Sequence, residues 1–397
     1  MRSLQVVSDE TICADASSAK SEAVQHLLAT KADLKAEYLE SSQAAPWIVG
    51  FSGGKDSTFL LQLVFEMLLS LPASQRTRPV HVLCNDTLVE SPVVSAFVCQ
   101  VLGRLRQAVD TLRLPMLVDT TKPKTEHSFW VLLLGRGYPA PNRTFRWCTD
   151  RMKIEPTGTY IQDLALAGGS VILLLGVRHA ESSTRSASIH RYENTIRGRL
   201  NPHTHIKDCL VYRPIVNFST EDVWQLLMQR PPPWGGTHRD LWTLYRNAQG
   251  GECPLVIDKS QAPSCGSSSS RFGCWTCTVV QKDRSLEGFI EAGEEFEYLS
   301  ELAEYRELLI KFRDDPTRRM ATRRSGEIRI QNDKLIAGPY TLSARKELLD
   351  RLLELQERVR LPLISEEEVV LIHQQWTKDA VTNLERMQKE SVSGDIP

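Results

Sequence analysis

The sequence predicts an α/β protein built on a doubly wound, mostly parallel sheet, and three observations predict it. Between residues 46 and 230, apolar strand-like runs ("WIVGF", "PVHVLC", "PMLVD" and "VILLLGV") alternate with helix-like stretches ("TFLLQLVFEMLLSL", "SPVVSAFVCQVLGRLRQAVDTL" and "IQDLALAGG"). The runs are apolar almost throughout, as strands covered by helices on both faces are. A glycine-rich turn, "FSGGKDST", follows the first run directly and opens the first long helix.

The flanking elements follow in chain order. Residues 21–40 place Val24, Leu27, Leu28, Leu34, Tyr38 and Leu39 near a helical period, so 1–45 reads as an N-terminal helical extension that ends before Pro46. Residues 46–230 form the α/β domain and close with "STEDVWQLLMQ", a helix with Ser219 as its cap and Asp222 in its first turn. "RPPPWGG" then breaks the periodicity and sets a boundary near residue 231. A cysteine-rich region spans 231–294, and 295–397 is mainly helical, with "SARKELLDRLLELQERV" and the capped "SEEEVVLIHQQW". The leucines of "ELLDRLLELQERV" are expected in the core.

Composition narrows the function classes. The 397 residues carry 48 basic and 49 acidic side chains, so overall charge advertises neither nucleic acid nor membrane, and any such partner must meet a local patch. Two patches are positive: 143–199, with nine basic residues against five acidic, and 313–346, with nine against four, including "RRMATRR". Arg318, Arg319, Arg323 and Arg324 of the second are candidates for tracking nucleic-acid phosphates. No run approaches the roughly 18 apolar residues of a membrane span, and the polar start lacks a leader pattern, so a cytoplasmic protein without a membrane partner is expected. Nine cysteines, crowded between Cys253 and Cys277, suit an intracellular metal or redox site better than a disulfide framework.

A strand that ends in a glycine-rich turn at a helix N-terminus gathers backbone N–H groups at one place, and the helix dipole adds to their pull on an anion. Gly53 and Gly54 let the backbone approach, Lys55 adds charge, and Ser52, Ser57 and Thr58 add hydroxyl donors. The spacing is not that of the common GxxxxGK[ST] loop. Ser-Gly-Gly-Lys-Asp-Ser at 52–57 resembles the PP-loop signature of the ATP pyrophosphatase superfamily, which implies a HUP-like fold and cleavage of ATP between the α and β phosphates.

Further stretches add candidates. "CNDTLVE" follows the second strand, so Asp86 and Thr87 are placed to contact the nucleotide or its metal. "RWCTDRMKIEP" and "LGVRHAESSTR" resemble the two arginine-bearing segments of the phosphoadenylyl-sulfate reductase branch; the resemblance implies an anionic cleft lined by Arg146, Arg151, Lys153, Gly176, Arg178 and Arg185. Lys55, Asp56, Ser57 and Arg178 are the candidate catalytic residues, with Asp56 either holding Mg²⁺ or ordering the loop.

"GCWTCT" presents Cys274 and Cys277 from one turn, a spacing open to zinc, a redox disulfide or an iron–sulfur cluster. Zinc would draw on Cys253, Cys265, Cys274 and Cys277. The reductase resemblance implies instead a [4Fe–4S] cluster on Cys148, Cys274 and Cys277, with Trp147 standing where that branch has a further cysteine, and with Cys265 as the fourth ligand and Cys253 in reserve.

Taken together, "PWIVGFSGGKDST", "DTLVESPVV", "LLGRGYPAP", "FRWCT", "GECPLV", "SCGSSSSRFGCWTCTVV" and "AGPYTLSARKELL" resemble the DndC family, the sulfurtransferases of bacterial DNA phosphorothioation. The resemblance implies ATP, Mg²⁺ and a [4Fe–4S] cluster as cofactors. It also implies DNA, a cysteine desulfurase as sulfur donor and other subunits of a phosphorothioation complex as partners. Three rivals stand beside it. An adenylyl-sulfate or phosphoadenylyl-sulfate reductase would be expected to carry a cysteine beyond Cys277, and none follows it here. A tRNA thiolase would respond to RNA, and a non-catalytic ATP-sensing DNA-binding subunit would bind ATP without making AMP.

Overall fold

A computed structural model describes residues 22–40, 45–179, 199–248, 272–331 and 334–393. Six strands form one sheet in the order β3 (Met116–Thr121), β2 (Val80–Asn85), β1 (Trp47–Gly50), β4 (Val171–Leu174), β6 (Cys209–Tyr212) and β5 (Leu200–Pro202). Every neighbouring pair is parallel except β5 with β6. The α/β fold expected from the alternating runs is therefore present, with an antiparallel edge that those runs did not announce.

Strand burial explains the near-continuous apolar runs. In β1, Trp47 and Val49 enter one core while Ile48 enters another on the opposite face; in β4, Ile172 and Leu174 face the first and Val171 and Leu173 the second. Helices α1 (Glu22–Leu39), α2 (Lys55–Ser70) and α3 (Pro92–Leu112) contribute to the larger core. Helix α4 (Glu155–Gly168) covers the other face with Ile161 and Ala165 and ends on Gly169, whose φ of +79° suits glycine. Because α2 lies beneath the sheet and is enclosed, it is buried nearly all round, from Lys55 to Leu68.

The chain leaves β1 toward β2 and β3, then crosses to β4 on the other side of β1. This reversal opens a crevice at the carboxyl ends of β1 and β4, where ligands of such sheets bind. Beyond β6, α5 (Thr220–Gln229) starts at the expected capping box: the Asp222 amide donates to Ser219 Oγ at 3.0 Å, and the Ser219 amide donates to Asp222 at 2.9 Å. A short amphipathic helix follows, α6 (Arg239–Ala248), and then α7 (Arg284–Ala292) and α8 (Tyr298–Asp314).

Helices α9 (Leu342–Val359) and α10 (Glu366–Ser393) bring the C-terminal region back onto the α/β unit. Leu348, Leu349, Leu352 and Leu355 are buried, as the leucine pattern predicts. Trp130 donates its indole N–H to the Leu363 carbonyl at 2.7 Å, and Trp376 donates to the Leu134 carbonyl at 2.8 Å. The larger core thus includes residues from every described segment, from Leu27 to Trp376. No described helix is long and apolar enough to cross a membrane.

Candidate functional site

The glycine-rich turn lies in the crevice between β1 and β4. Gly53 has φ +78°, and a Cβ there would meet the Val98 side chain at 2.4 Å, so both conformation and space require glycine. Gly54 caps α2, and the Ser57 hydroxyl ties the turn together by donating to the Gly54 carbonyl at 3.0 Å, accepting from the Ser52 amide at 3.2 Å and lying 3.1 Å from Ser52 Oγ. The Thr58 hydroxyl is buried in the same first helical turn and has no hydrogen-bond partner among the described residues.

Three charged groups are packed behind the turn. Asp56 accepts from Lys55 Nζ at 2.7 Å and from Arg178 Nε at 2.6 Å. Burial alone would raise the Asp56 carboxyl, but the Lys55 and Arg178 cations outweigh it and hold the group below its ordinary range. Arg178 also donates to the Phe218 carbonyl and the Thr220 hydroxyl, so its fork is committed to holding Asp56 and the start of α5. Two cations against one carboxylate leave the turn with an excess positive charge, which fits an anionic ligand. Gly176, after β4, lets this happen: a Cβ there would stand 2.8 Å from the Asp56 carbonyl oxygen.

Asp86 and Thr87 sit on the next loop. The Leu88 amide donates to Asp86 at 2.9 Å, holding Leu88 at φ +65°, and Lys122 lies 3.6 Å from the Asp86 carboxylate. The Thr87 hydroxyl donates to Glu90 at 2.9 Å and lies 3.4 Å from Cys274 Sγ. Thr87 is fully buried and is thereby turned toward the cysteines.

The cysteine turn is fastened to that same loop. Glu90 and Cys274 form an antiparallel bridge, the Trp275 amide donates to the Val89 carbonyl at 3.1 Å, and the Cys277 amide closes the turn onto the Cys274 carbonyl at 2.9 Å. Cys148, from the turn Trp147–Thr149, stands close enough for its thiol and that of Cys277 to sense each other's charge, as do those of Cys274 and Cys277. Burial pushes the Cys148 thiol up to about 12 and raises Cys274 and Cys277; the Lys153 ammonium works against this at Cys148 and Cys274.

Donors also face the sulfurs: Thr149 at Cys148, Thr87 at Cys274 and the backbone amides of Val279 and Val280 at Cys277. Such donors stabilise thiolates, so the donor chemistry fits a thiolate-held group. Among the described residues no three cysteine, histidine or acidic side chains gather around one ion.

Lys153 joins this group, 3.9 Å from Glu90, while Arg146 caps the Cys148 turn and Arg151 pairs with Glu155 at the surface. The structure therefore gathers Ser52, Gly53, Gly54, Lys55, Asp56, Ser57, Gly176 and Arg178 at one crevice. Thr87, Lys153, Cys148, Cys274 and Cys277 gather beside it. Arg185, Cys253 and Cys265 lie outside the described residues.

A family model for the phosphoadenosine phosphosulfate reductase domain matches residues 46–280, more than half of the chain. The chain belongs to that family. An uncharacterized protein of Methanocaldococcus jannaschii is 26% identical over 189 residues, covering 48% of this chain and 32% of that protein, so the chain spans about a third of that relative's length. Among solved structures, the chain is similar to an FMN adenylyltransferase of Candida glabrata in complex with FAD and inorganic pyrophosphate, at 12% identity and TM-score 0.34, covering 59% of this chain and 64% of that one. It is also similar to a phosphoadenylyl-sulfate reductase of Candida auris, at 15% identity and TM-score 0.31, covering 54% and 89%. A U34-tRNA thiolase of Methanococcus maripaludis with its [4Fe–4S] cluster matches at 12% identity and TM-score 0.31, covering 72% and 80%.

Residues beyond the reductase-family domain brace its cysteine turn. Arg306 of α8, almost wholly buried, donates to the carbonyls of Cys277 at 2.7 Å, of Gln281 and of Val280. Arg313, two turns further along, donates to the carbonyls of Thr278 at 2.9 Å and Pro141 at 3.1 Å. The basic stretch that follows is largely engaged within the chain. Arg318 pairs with Glu347, Arg319 donates to the carbonyls of Gly338 and Ala337, and Arg324 donates to the Arg136 carbonyl.

Two contributors carried no motif. Arg306 reads as one more charge on a helix. Tyr245 of α6 accepts the Lys55 amide at 2.9 Å, and it lies in a stretch whose short period was masked by the preceding prolines and glycines. The strong amphipathicity of 239–248 was the signal that could have drawn attention to it.

Proposed function

We propose that this reductase-family domain binds ATP at Ser52–Ser57 and works as an ATP pyrophosphatase-type sulfurtransferase of DNA phosphorothioation. The observation that carries the reading is the bridge between Glu90 and Cys274, which fastens a thiol-bearing turn to the loop beside the phosphate crevice. A site that joins phosphate activation to sulfur chemistry needs that adjacency.

In this reading Gly53 and Gly54 admit the nucleotide phosphates to the start of α2, and Lys55 stabilises the charge that develops on the leaving pyrophosphate. A non-bridging oxygen of the DNA backbone attacks the α phosphorus of ATP, and pyrophosphate leaves. Sulfur at the sulfide level then attacks the DNA phosphorus, and AMP departs with the oxygen. Mg²⁺ accompanies the nucleotide; Asp56, held between two cations, orders the loop, while Arg178 orients Asp56.

Cys148, Cys274 and Cys277, with Cys265 as fourth ligand, would hold a [4Fe–4S] cluster, which when bound supplies a place to carry sulfur. Thr87, Lys153 and the amides of Val279 and Val280 favour the thiolate form of those sulfurs against the burial that opposes it. Duplex DNA, a cysteine desulfurase and further subunits of the assembly are the proposed partners, and a cytoplasmic location goes with them.

The test is the product spectrum of ATP incubated anaerobically with the protein, Mg²⁺ and its partners. It is run with duplex DNA, with tRNA and without nucleic acid, beside Lys55→Ala. AMP and pyrophosphate that depend on Lys55 and rise with DNA are expected. Stimulation by tRNA alone would move the assignment to a thiolase, and ATP binding without AMP would reduce the protein to a sensing subunit.

A further inference from the structure

We infer that Tyr245 is a positioning residue that latches the phosphate crevice to the cysteine turn, by occupying a backbone amide for which a bound phosphate competes. The inference rests on the nucleotide reading of that crevice. The first amides of a helix have no partner within it and are the groups an anion takes. In α2 the first of these, the Lys55 N–H, donates to the Tyr245 hydroxyl at 2.9 Å, and the Lys55 ammonium lies 5.6 Å from the centre of the same ring. Tyr245 thus covers both elements by which Lys55 would receive a phosphate.

The ring is held from two other sides. It meets Trp224 of α5 edge-on at 4.8 Å and Phe272 edge-on at 4.8 Å. Phe272 is two residues before Cys274, and the intervening Gly273 is hydrogen-bonded through its carbonyl to the Ser91 amide. A path therefore runs from Lys55 through the Tyr245 and Phe272 rings and along two residues of chain to Cys274. A phosphate oxygen, carrying charge, is a stronger acceptor than a phenol oxygen. Its arrival draws the hydroxyl off the Lys55 amide, and a ring packed edge-on against Phe272 cannot shift without disturbing the segment that leads into the cysteine turn. Nucleotide occupancy is thereby reported to the thiols through the rings.

Two substitutions in the full chain separate latch from packing. Tyr245→Phe keeps the ring and removes the competing acceptor; Phe272→Leu keeps the hydroxyl and breaks the ring contact. Binding of a non-hydrolysable ATP analogue and of pyrophosphate is measured by calorimetry, and backbone hydrogen exchange of residues 272–280 is followed with and without the analogue. A net hydrogen bond of ordinary strength corresponds to analogue binding roughly two- to tenfold tighter in Tyr245→Phe. In the unaltered protein the analogue changes exchange at 272–280; in both variants that response is lost, while Phe272→Leu keeps its affinity. Unchanged or weaker binding by Tyr245→Phe, or a preserved exchange response in both variants, overturns the latch and leaves the nucleotide site standing. Absence of analogue and pyrophosphate binding in the unaltered protein removes the nucleotide site and the latch together.

Discussion

The Asp56 carboxylate and the Arg178 guanidinium meet at 2.6 Å with each side chain only 2% exposed. Lys55 closes the same carboxylate from the other side at 2.7 Å. Removing Asp56 takes the buried carboxylate from two cations, whereas removing Lys55 leaves the Asp56–Arg178 pair intact. Loss of one partner of a buried pair costs about 3–5 kcal/mol. Asp56→Ala is therefore expected to lower the urea midpoint well below that of Lys55→Ala, although both lose nucleotide binding; equal midpoints would show that the pair does not act as a unit. Because the folded-state carboxyl titrates below its ordinary value of 3.8, its contribution is complete above that pH and is lost only as pH falls through the folded value.

His238 is the group that makes stability respond at milder acidity. Burial first, and the Arg230 cation second, bring it from 6.5 down to about 4, and its Nε2 lies 2.7 Å from Gln62 Oε1. Between those two pH values the unfolded chain binds a proton that the folded chain refuses, so stability falls as pH falls, by up to about 3 kcal/mol across the window. Denaturant unfolding at a series of pH values should show this slope, and His238→Gln should flatten it. A slope unaffected by the substitution would assign the acid sensitivity elsewhere.

Gly176→Ala is expected to impair the crevice, because the new methyl would lie 2.8 Å from the Asp56 carbonyl and must push β4 away from the start of α2. Overpacking of this kind costs about 1–3 kcal/mol, and nucleotide affinity should fall with it. Gly103→Ala is the matched control: it lies within α3 with nothing within 4 Å of the added Cβ, and should stabilise the protein by about 0.5–1 kcal/mol. Thermal melts with calorimetric titration of the ATP analogue decide both.

Arg306→Met should separate the two halves of the site. The substitution keeps much of the volume but deprives the Cys277, Val280 and Gln281 carbonyls of their donor. Iron and sulfide retained after anaerobic purification should drop while binding of the ATP analogue persists. Full retention of iron and sulfide would mean that α8 does not hold the cysteine turn in place.

How much of this was legible depended on how local its cause is. The four apolar runs became β1 to β4, and the cap at Ser219 formed as its residue types require, because alternation and capping are decided within a few positions. Strands β5 and β6 escaped notice because each is short and Leu200–Pro202 carries a proline, tolerable only at the sheet edge where it lies. The glycine-rich turn was legible as the tight link from β1 to the first long helix of the sheet. That Thr87 turns to Cys274 was not, since it depends on a partner 187 positions away. The arginines of 318–324 looked like a surface charge run, yet Arg319 and Arg324 donate to main-chain carbonyls, a use that charge patterning does not reveal.

The hydrogen bonds from Trp130 to Leu363 and from Trp376 to Leu134 bear on where the polypeptide can be cut. The stretch shared with the reductase family closes at residue 280, but the indoles and leucines beneath it are covered by helices that come later. A fragment trimmed to the shared stretch would present that covered surface to water and aggregate. Ancestry and folding therefore draw their borders at different places in this chain, and a ribosome must deliver the last helices before the segment around Trp130 is fully sheltered.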